Sequence, residues 1–193
     1  MADPYVYPGT TVLRNLAGLE DALALADREA QTSALRLAQL AALRLEGDYD
    51  LAHLQAFHRF IFQDLYSWAG ELRSVPLAKP DSMFALPEHV ERYASGLFRQ
   101  LADESHLRSL PRAKFAERAT HYYAEINAVH PFREGNGRTQ RAFLRQLALD
   151  ADHTLGWEHL DATTLVYASQ RSFAGDNVPM RDLIETVLDL PHC

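Results

Sequence analysis

The chain has 193 residues, of which 47% are hydrophobic and 23% charged, and its net charge is -7. That length and composition fit one globular domain with a proper core, or two very small ones. The acidic balance argues against bulk nucleic acid or an anionic membrane surface as a partner.

A single cysteine, Cys193, stands at the end of the chain. A disulfide framework is therefore impossible, and a reducing compartment is expected. Met1 to Leu13 lacks the basic start and apolar run of a signal peptide. No apolar stretch approaches the roughly 20 residues of a membrane span. The expected location is the cytoplasm. No repeat, low-complexity tract or long linker divides the chain.

Gly18 to Leu45 is rich in Ala, Leu, Glu and Arg and predicts a helix. Asp50 is placed to cap a second helix, whose face is Leu54, Phe57, Ile61 and Leu65. Trp68-Ala69-Gly70 is expected to end it, with Gly70 as the C-terminal cap. Ser74 to Ala78, a turn over Lys79-Pro80-Asp81-Ser82, and Met83 to Ala85 read as a small hairpin. Pro76 and Pro80 make it an edge structure. After Pro87 a helical stripe runs Val90, Tyr93, Leu97, Leu101. A polar loop, Asp103 to Ser109, precedes a helix near Pro111 with the stripe Phe115, Ala119, Tyr122, Ile126, Val129. It should stop at His130-Pro131, because proline disfavours helical geometry in the residue before it. Helices are predicted from about Gly137 to Asp150, Leu160 to Ser172 and Pro179 to Leu188. The expected fold is mostly α: one bundle-like domain carrying a small β-hairpin.

The informative segment is His130-Pro131-Phe132-Arg133-Glu134-Gly135-Asn136-Gly137-Arg138-Thr139-Gln140-Arg141. Two glycines flank Asn136 just before a helix start, so successive amides can point into one concavity. The helix start adds free N–H groups and a positive dipole end. Arg138, Arg141 and Arg145 recur at helical spacing. From Arg133 to Arg145 there are four arginines and one acid in a chain that is acidic overall, which suits a polyphosphate. Glu134, the single acid, makes sense beside phosphates if Mg²⁺ lies between them. His130 ends the preceding helix and can accept a proton from a hydroxyl near neutral pH. Phe132 is expected to face inward and pin the loop. The other histidines lack ligand spacing: His53 and His58, like His153 and His159, do not stack on one helix face, so no zinc site is expected.

This dodecapeptide resembles the Fic signature, His-Pro-Phe-x-(Asp/Glu)-Gly-Asn-Gly-Arg-x-x-Arg, at every specified position. Asp64 to Arg73 resembles the family's core helix, Lys79 to Ala85 its flap, and Tyr7 to Asn15 the opening of small bacterial members. The resemblance implies a single Fic domain over 1–193, with a core at about 50–175, a flap at 74–85 and the signature loop at 130–141. It implies transfer of AMP from ATP to a Ser, Thr or Tyr hydroxyl of a target protein. His130 would be the base and Glu134 would hold Mg²⁺. Gly135, Asn136 and Gly137 would cradle the phosphates. Arg138 would meet the β-phosphate and Arg141 the γ-phosphate. Lys79 and Pro80 would lie over the nucleotide, and Lys79 and Met83 would contact a target strand paired with the flap.

Two other outcomes remain open on these residues. Doc-like relatives carry lysine where Gly137 stands and phosphorylate their targets; other relatives use UTP or CDP-choline. A catalytically silent binding module is the other outcome, against which His130 and Glu134 argue. Many Fic proteins are silenced by a helix with (Ser/Thr)-x-x-x-Glu-(Gly/Asn), whose glutamate pairs with the second signature arginine. The nearest segment here, Ala42 to Gly47, has alanine where the hydroxyl belongs, and Glu46 is expected to be a surface residue. The expectation is a separate small antitoxin that supplies the inhibitory helix. Type II topoisomerase subunits are the family precedent for a target.

Overall fold

The structure is a computed structural model that describes residues 3–79 and 82–190; the side chains of residues 78–83 are not described. Seven helices and one two-stranded hairpin are present among the described residues. Helix α1 spans Ala22–Ala42, with Asp21 as its cap accepting from the Ala24 amide. Helix α2 is Leu51–Phe62, and Asp50 caps it as its sequence position predicts, accepting from His53 at 2.8 Å. Helix α2 ends earlier than expected. Gln63 closes it, and two turns then carry the chain to Gly70, which has φ 87°.

Strand β1 (Ala78–Lys79) pairs antiparallel with β2 (Ser82–Met83) in a hairpin of minimal length. Helix α3 (Pro87–Asp103) starts on proline, where the missing N–H costs no intrahelical bond. Its buried stripe is Val90, Ala94, Leu97, Phe98 and Leu101, whereas Tyr93 is exposed, contrary to the predicted stripe. The residue one position on, Ala94, takes that place on the core side. Helix α4 (Arg112–Val129) buries Phe115, Ala119, Tyr122, Ile126 and Val129 as predicted, and also Ala116, Thr120, Tyr123 and Asn127. Beyond its first two residues, only a stripe through Lys114, Glu117, Glu125 and Ala128 stays exposed, and α4 packs against α3, α5, α6 and α7. Helices α5 (Asn136–Asp150), α6 (Ala162–Phe173) and α7 (Val178–Val187) follow.

The larger of two apolar clusters unites Leu54 and Phe57 of α2 with α3, α4, α5 and α7. The smaller joins Tyr5, Val12, Leu13 and Leu25 to Ile61, Phe62, Tyr66 and Trp68. Helix α2 thus buries one face in each cluster. It ties the N-terminal segment and α1 to the body that carries the signature loop.

Candidate active site

The loop that follows α4 is held by its own sequence. His130 is the C-cap and sits in the left-handed region, at φ 48° and ψ 63°, because Pro131 excludes another helical turn. Pro131, Phe132 and Asn136 are buried, Phe132 to 1% exposure, so the loop is anchored inward as expected. The Asn136 carboxamide closes the loop from inside: Oδ1 accepts from the Phe132 amide at 2.9 Å and Nδ2 donates to the Phe132 carbonyl at 2.7 Å. Its side chain is thereby committed, which leaves its backbone for any phosphate. Gly135, at φ 80°, begins α5 without a side-chain cap, so the first-turn amides are unclaimed by any cap. A Cβ at Gly135 would stand 2.2 Å from the Phe62 ring. Only glycine satisfies both that approach and that backbone.

His130 is half-buried, and its Nδ1 lies 3.3 Å from the Asn127 carbonyl. A carbonyl only accepts, so Nδ1 carries the proton and Nε2 is the basic atom of the ring. Phe84, at the end of the hairpin, stacks on the imidazole with ring centroids 3.9 Å apart. His130, Gly137 and Arg141 line one cavity of about 250 Å³, together with Tyr123, Asn127 and Leu165 of α6.

The charged residues divide into three kinds. Arg133 pairs with Asp3 at 2.8 Å, so it fastens the N-terminal segment and is withdrawn from the expected polyphosphate row. Arg138 is clamped by helix α1: it donates to Ser33 at 3.0 Å and to Glu29, lies 3.4 Å from Glu134, and packs over the Phe62 ring. The second oxygen of Glu29 takes the Tyr66 hydroxyl, and burial with this carboxylate drives the phenol pKa upward. Arg141 has no acidic partner among the described residues; burial lowers its pKa, and the Tyr123 hydroxyl beside it opposes that shift. Arg145 has a buried Nε that meets no partner among the described residues. Arg141 and Arg145 share the wall of a second groove, about 590 Å³, whose floor is apolar and includes Leu37, Leu40, Trp157 and Leu165.

Glu134 Oε1 accepts from the Gly135 amide at 2.7 Å. Among the described residues no group of three or more His, Cys, Asp or Glu side chains could hold a metal. The donor set is thus one carboxylate beside an arginine-rich loop. That fits an ion such as Mg²⁺, which takes one or two carboxylates and completes its shell with phosphate and water.

Several of these groups escaped the sequence reading. His58 is fully buried between helix and loop: Nδ1 accepts from the Gly70 amide at 2.7 Å and Nε2 donates to the Glu134 carbonyl at 2.9 Å. Its ring stacks on Phe132 at 4.0 Å, and burial lowers its pKa to about 4. Glu29, Ser33, Tyr66 and Arg73 were also missed. None has a spacing that announces it, since Glu29, Ser33 and Arg73 meet the signature segment from distant parts of the chain and Tyr66 meets Glu29. Glu46 is exposed, as expected. The expectations for Pro80, Cys193 and the side chains of Lys79 and Met83 lie outside the described residues.

A mostly helical bundle with a hairpin beside a histidine-ended helix and a glycine-arginine helix start defines a recognisable class. A family model described as Fic/DOC family matches residues 48–148. The chain belongs to the Fic/DOC family. It is 43% identical to the probable protein adenylyltransferase y4lH of Sinorhizobium fredii, over 92% of this chain and 92% of that protein. It is 40% identical to the protein adenylyltransferase VbhT of Bartonella schoenbuchensis over 94% of this chain, but spans only 38% of that relative's length. The crystal structure of BepC from Bartonella tribocorum with bound AMPPNP superposes with a TM-score of 0.89 at 26% identity, covering 98% of this chain and 97% of that one. No helix among the described residues is long and apolar enough to cross a membrane.

Proposed function

We propose that the chain is a protein adenylyltransferase that moves AMP from ATP to a hydroxyl side chain of a target protein. The observation that carries the reading is the single cavity that holds His130, Gly137 and Arg141 beside an uncapped helix start. In this reading His130 Nε2 takes the proton from the target hydroxyl. The hydroxyl oxygen forms a bond to the α-phosphorus, the α–β anhydride P–O bond breaks, and its electron pair leaves with pyrophosphate. The backbone of 135–137 receives phosphate oxygens through its amides, while Arg138 and Arg141 meet the β- and γ-phosphates. Glu134 would hold Mg²⁺, which supplies charge stabilisation to the departing pyrophosphate. The hairpin beside the cavity, with Lys79, Pro80 and Met83, would cover the nucleotide and pair with an extended target segment.

Gly137 favours AMP transfer over phosphorylation. An added Cβ there would stand 3.2 Å from an Arg141 Nη, so glycine keeps the space beside that guanidinium open for the β- and γ-phosphates. The adenylyltransferase names of relatives at 40–43% identity point the same way. For control, the groove beside Arg141 is assigned to an amphipathic helix from a separate small antitoxin. Its apolar lining, and an Arg141 with no acidic partner among the described residues, suit a helix with one apolar face and one glutamate. Type II topoisomerase subunits are the first targets to try.

The test is labelling of a bacterial lysate with ATP carrying label at the α- or the γ-phosphate. Protein-bound label from α alone is expected, and it should disappear in His130→Ala while ATP binding persists. Loss of a general base typically costs about 10²–10⁴-fold in rate. Label from γ would replace the reading by phosphorylation, and an undiminished rate in His130→Ala would remove the base.

A further inference from the structure

Arg73 is 2% exposed, and no acidic side chain among the described residues pairs with it. A buried cation without a counter-ion is costly, and burial lowers its pKa. Its compensation consists of carbonyl oxygens. Nε donates to His130 at 2.7 Å, and one Nη donates to Val129 at 3.2 Å. That Nη also donates to Ala85, and the other Nη donates to Val75 at 2.9 Å. The Arg73 amide adds a bond to the Pro131 carbonyl at 2.9 Å.

These acceptors fall into two groups. Val129 and His130 are the last carbonyls of α4, where a cation also meets the negative end of the helix dipole. Val75 and Ala85 are the two stems of the hairpin. Ala85 directly follows Phe84, the ring stacked on the His130 imidazole. Meanwhile His130 holds a left-handed backbone that side-chain-bearing residues rarely adopt. One planar guanidinium therefore fixes the peptide of His130 and both roots of the element that presses on its ring. Lysine, with a single ammonium, cannot reproduce that fork.

We infer that Arg73 is a positioning residue: it sets the orientation of the His130 imidazole and locks the base of the hairpin to it. The inference rests on the reading of His130 as the base. It assigns Arg73 no contact with nucleotide or target.

The experiment compares wild type with Arg73→Lys, and with the neutral Arg73→Gln, which carries no buried charge and covers failure of the first variant to fold. Three quantities are read in folded protein: kcat, the affinity for a non-hydrolysable ATP analogue, and the His130 ring signals in a histidine-labelled NMR spectrum. Those signals are identified by their loss in His130→Ala. The expected result is a kcat lower by about 10- to 100-fold, analogue affinity within about twofold, and His130 signals that shift and broaden. Superimposable His130 signals in either variant would overturn the inference. So would a fall in kcat matched by an equal fall in analogue affinity, which marks general loosening. If wild type transfers no AMP, the functional reading fails while the NMR comparison still decides the role of Arg73.

Discussion

At the scale of single residues, the loop works because several side chains have only one permitted identity. Gly135 combines φ 80° with a Cβ position 2.2 Å from Phe62. Gly135→Ala should therefore lower stability by about 3 kcal/mol, from backbone strain and forced repacking together. Urea denaturation of the two proteins measures it, and equal midpoints would contradict the close approach. Glu134 has one carboxylate oxygen turned to its own loop amide. Glu134→Ala should raise the Mg²⁺ concentration needed for half-maximal transfer and lower the maximum. A Mg²⁺ titration that superimposes on wild type would take Glu134 out of the metal site. The candidate site was legible because the residues proposed to meet phosphate, metal and hydroxyl fall within twelve consecutive positions. The residues that hold them were not. Glu29 reaches Arg138 across 109 positions and His58 reaches Glu134 across 76, and no local period encodes such a meeting.

At the scale of elements, α2 links the two apolar clusters and delivers His58 to the signature loop. The imidazole is held neutral by burial, with a pKa near 4 against an ordinary value near 6.5. A base whose folded pKa is depressed stabilises the fold above its unfolded pKa. That stability is lost as pH falls through the window from about 6.5 to about 4, because the unfolded chain binds the proton first. The loss from His58 alone is on the order of 3 kcal/mol. Burial lowers the pKa of His53 and His121 too, so they act with the same sign. Comparing stability against pH in wild type and His58→Gln isolates the single contribution. The variant should show a shallower acid slope across that window, and parallel curves would show that His58 is not held neutral. Helix existence and order followed from periodicity. The misjudged details have local causes: α2 yields to turns after Phe62, and Tyr93 gives its core place to Ala94.

At the scale of the whole molecule, helix α1 sits against the body with most of its surface exposed, yet it contributes Glu29 and Ser33 to Arg138 and borders the apolar groove. The internal carboxylate thus reaches the first signature arginine, and among the described residues the second has no acid. Glu46, the nearest match to an internal inhibitor, points to solvent. Glu46→Gly should leave auto-labelling within about twofold of wild type, as an exposed surface change does. A many-fold rise would make Glu46 the silencer and remove the need for a partner. An Arg141 with no acid beside it among the described residues has a further consequence. The same guanidinium that would receive the terminal phosphate would also receive the partner's glutamate, so the two occupants exclude one another there. The degree of silencing then depends on the ratio of inhibitor to nucleotide, by mass action. A cell short of ATP would hold the enzyme more firmly shut than a well-fed one, without any change in the amount of either protein.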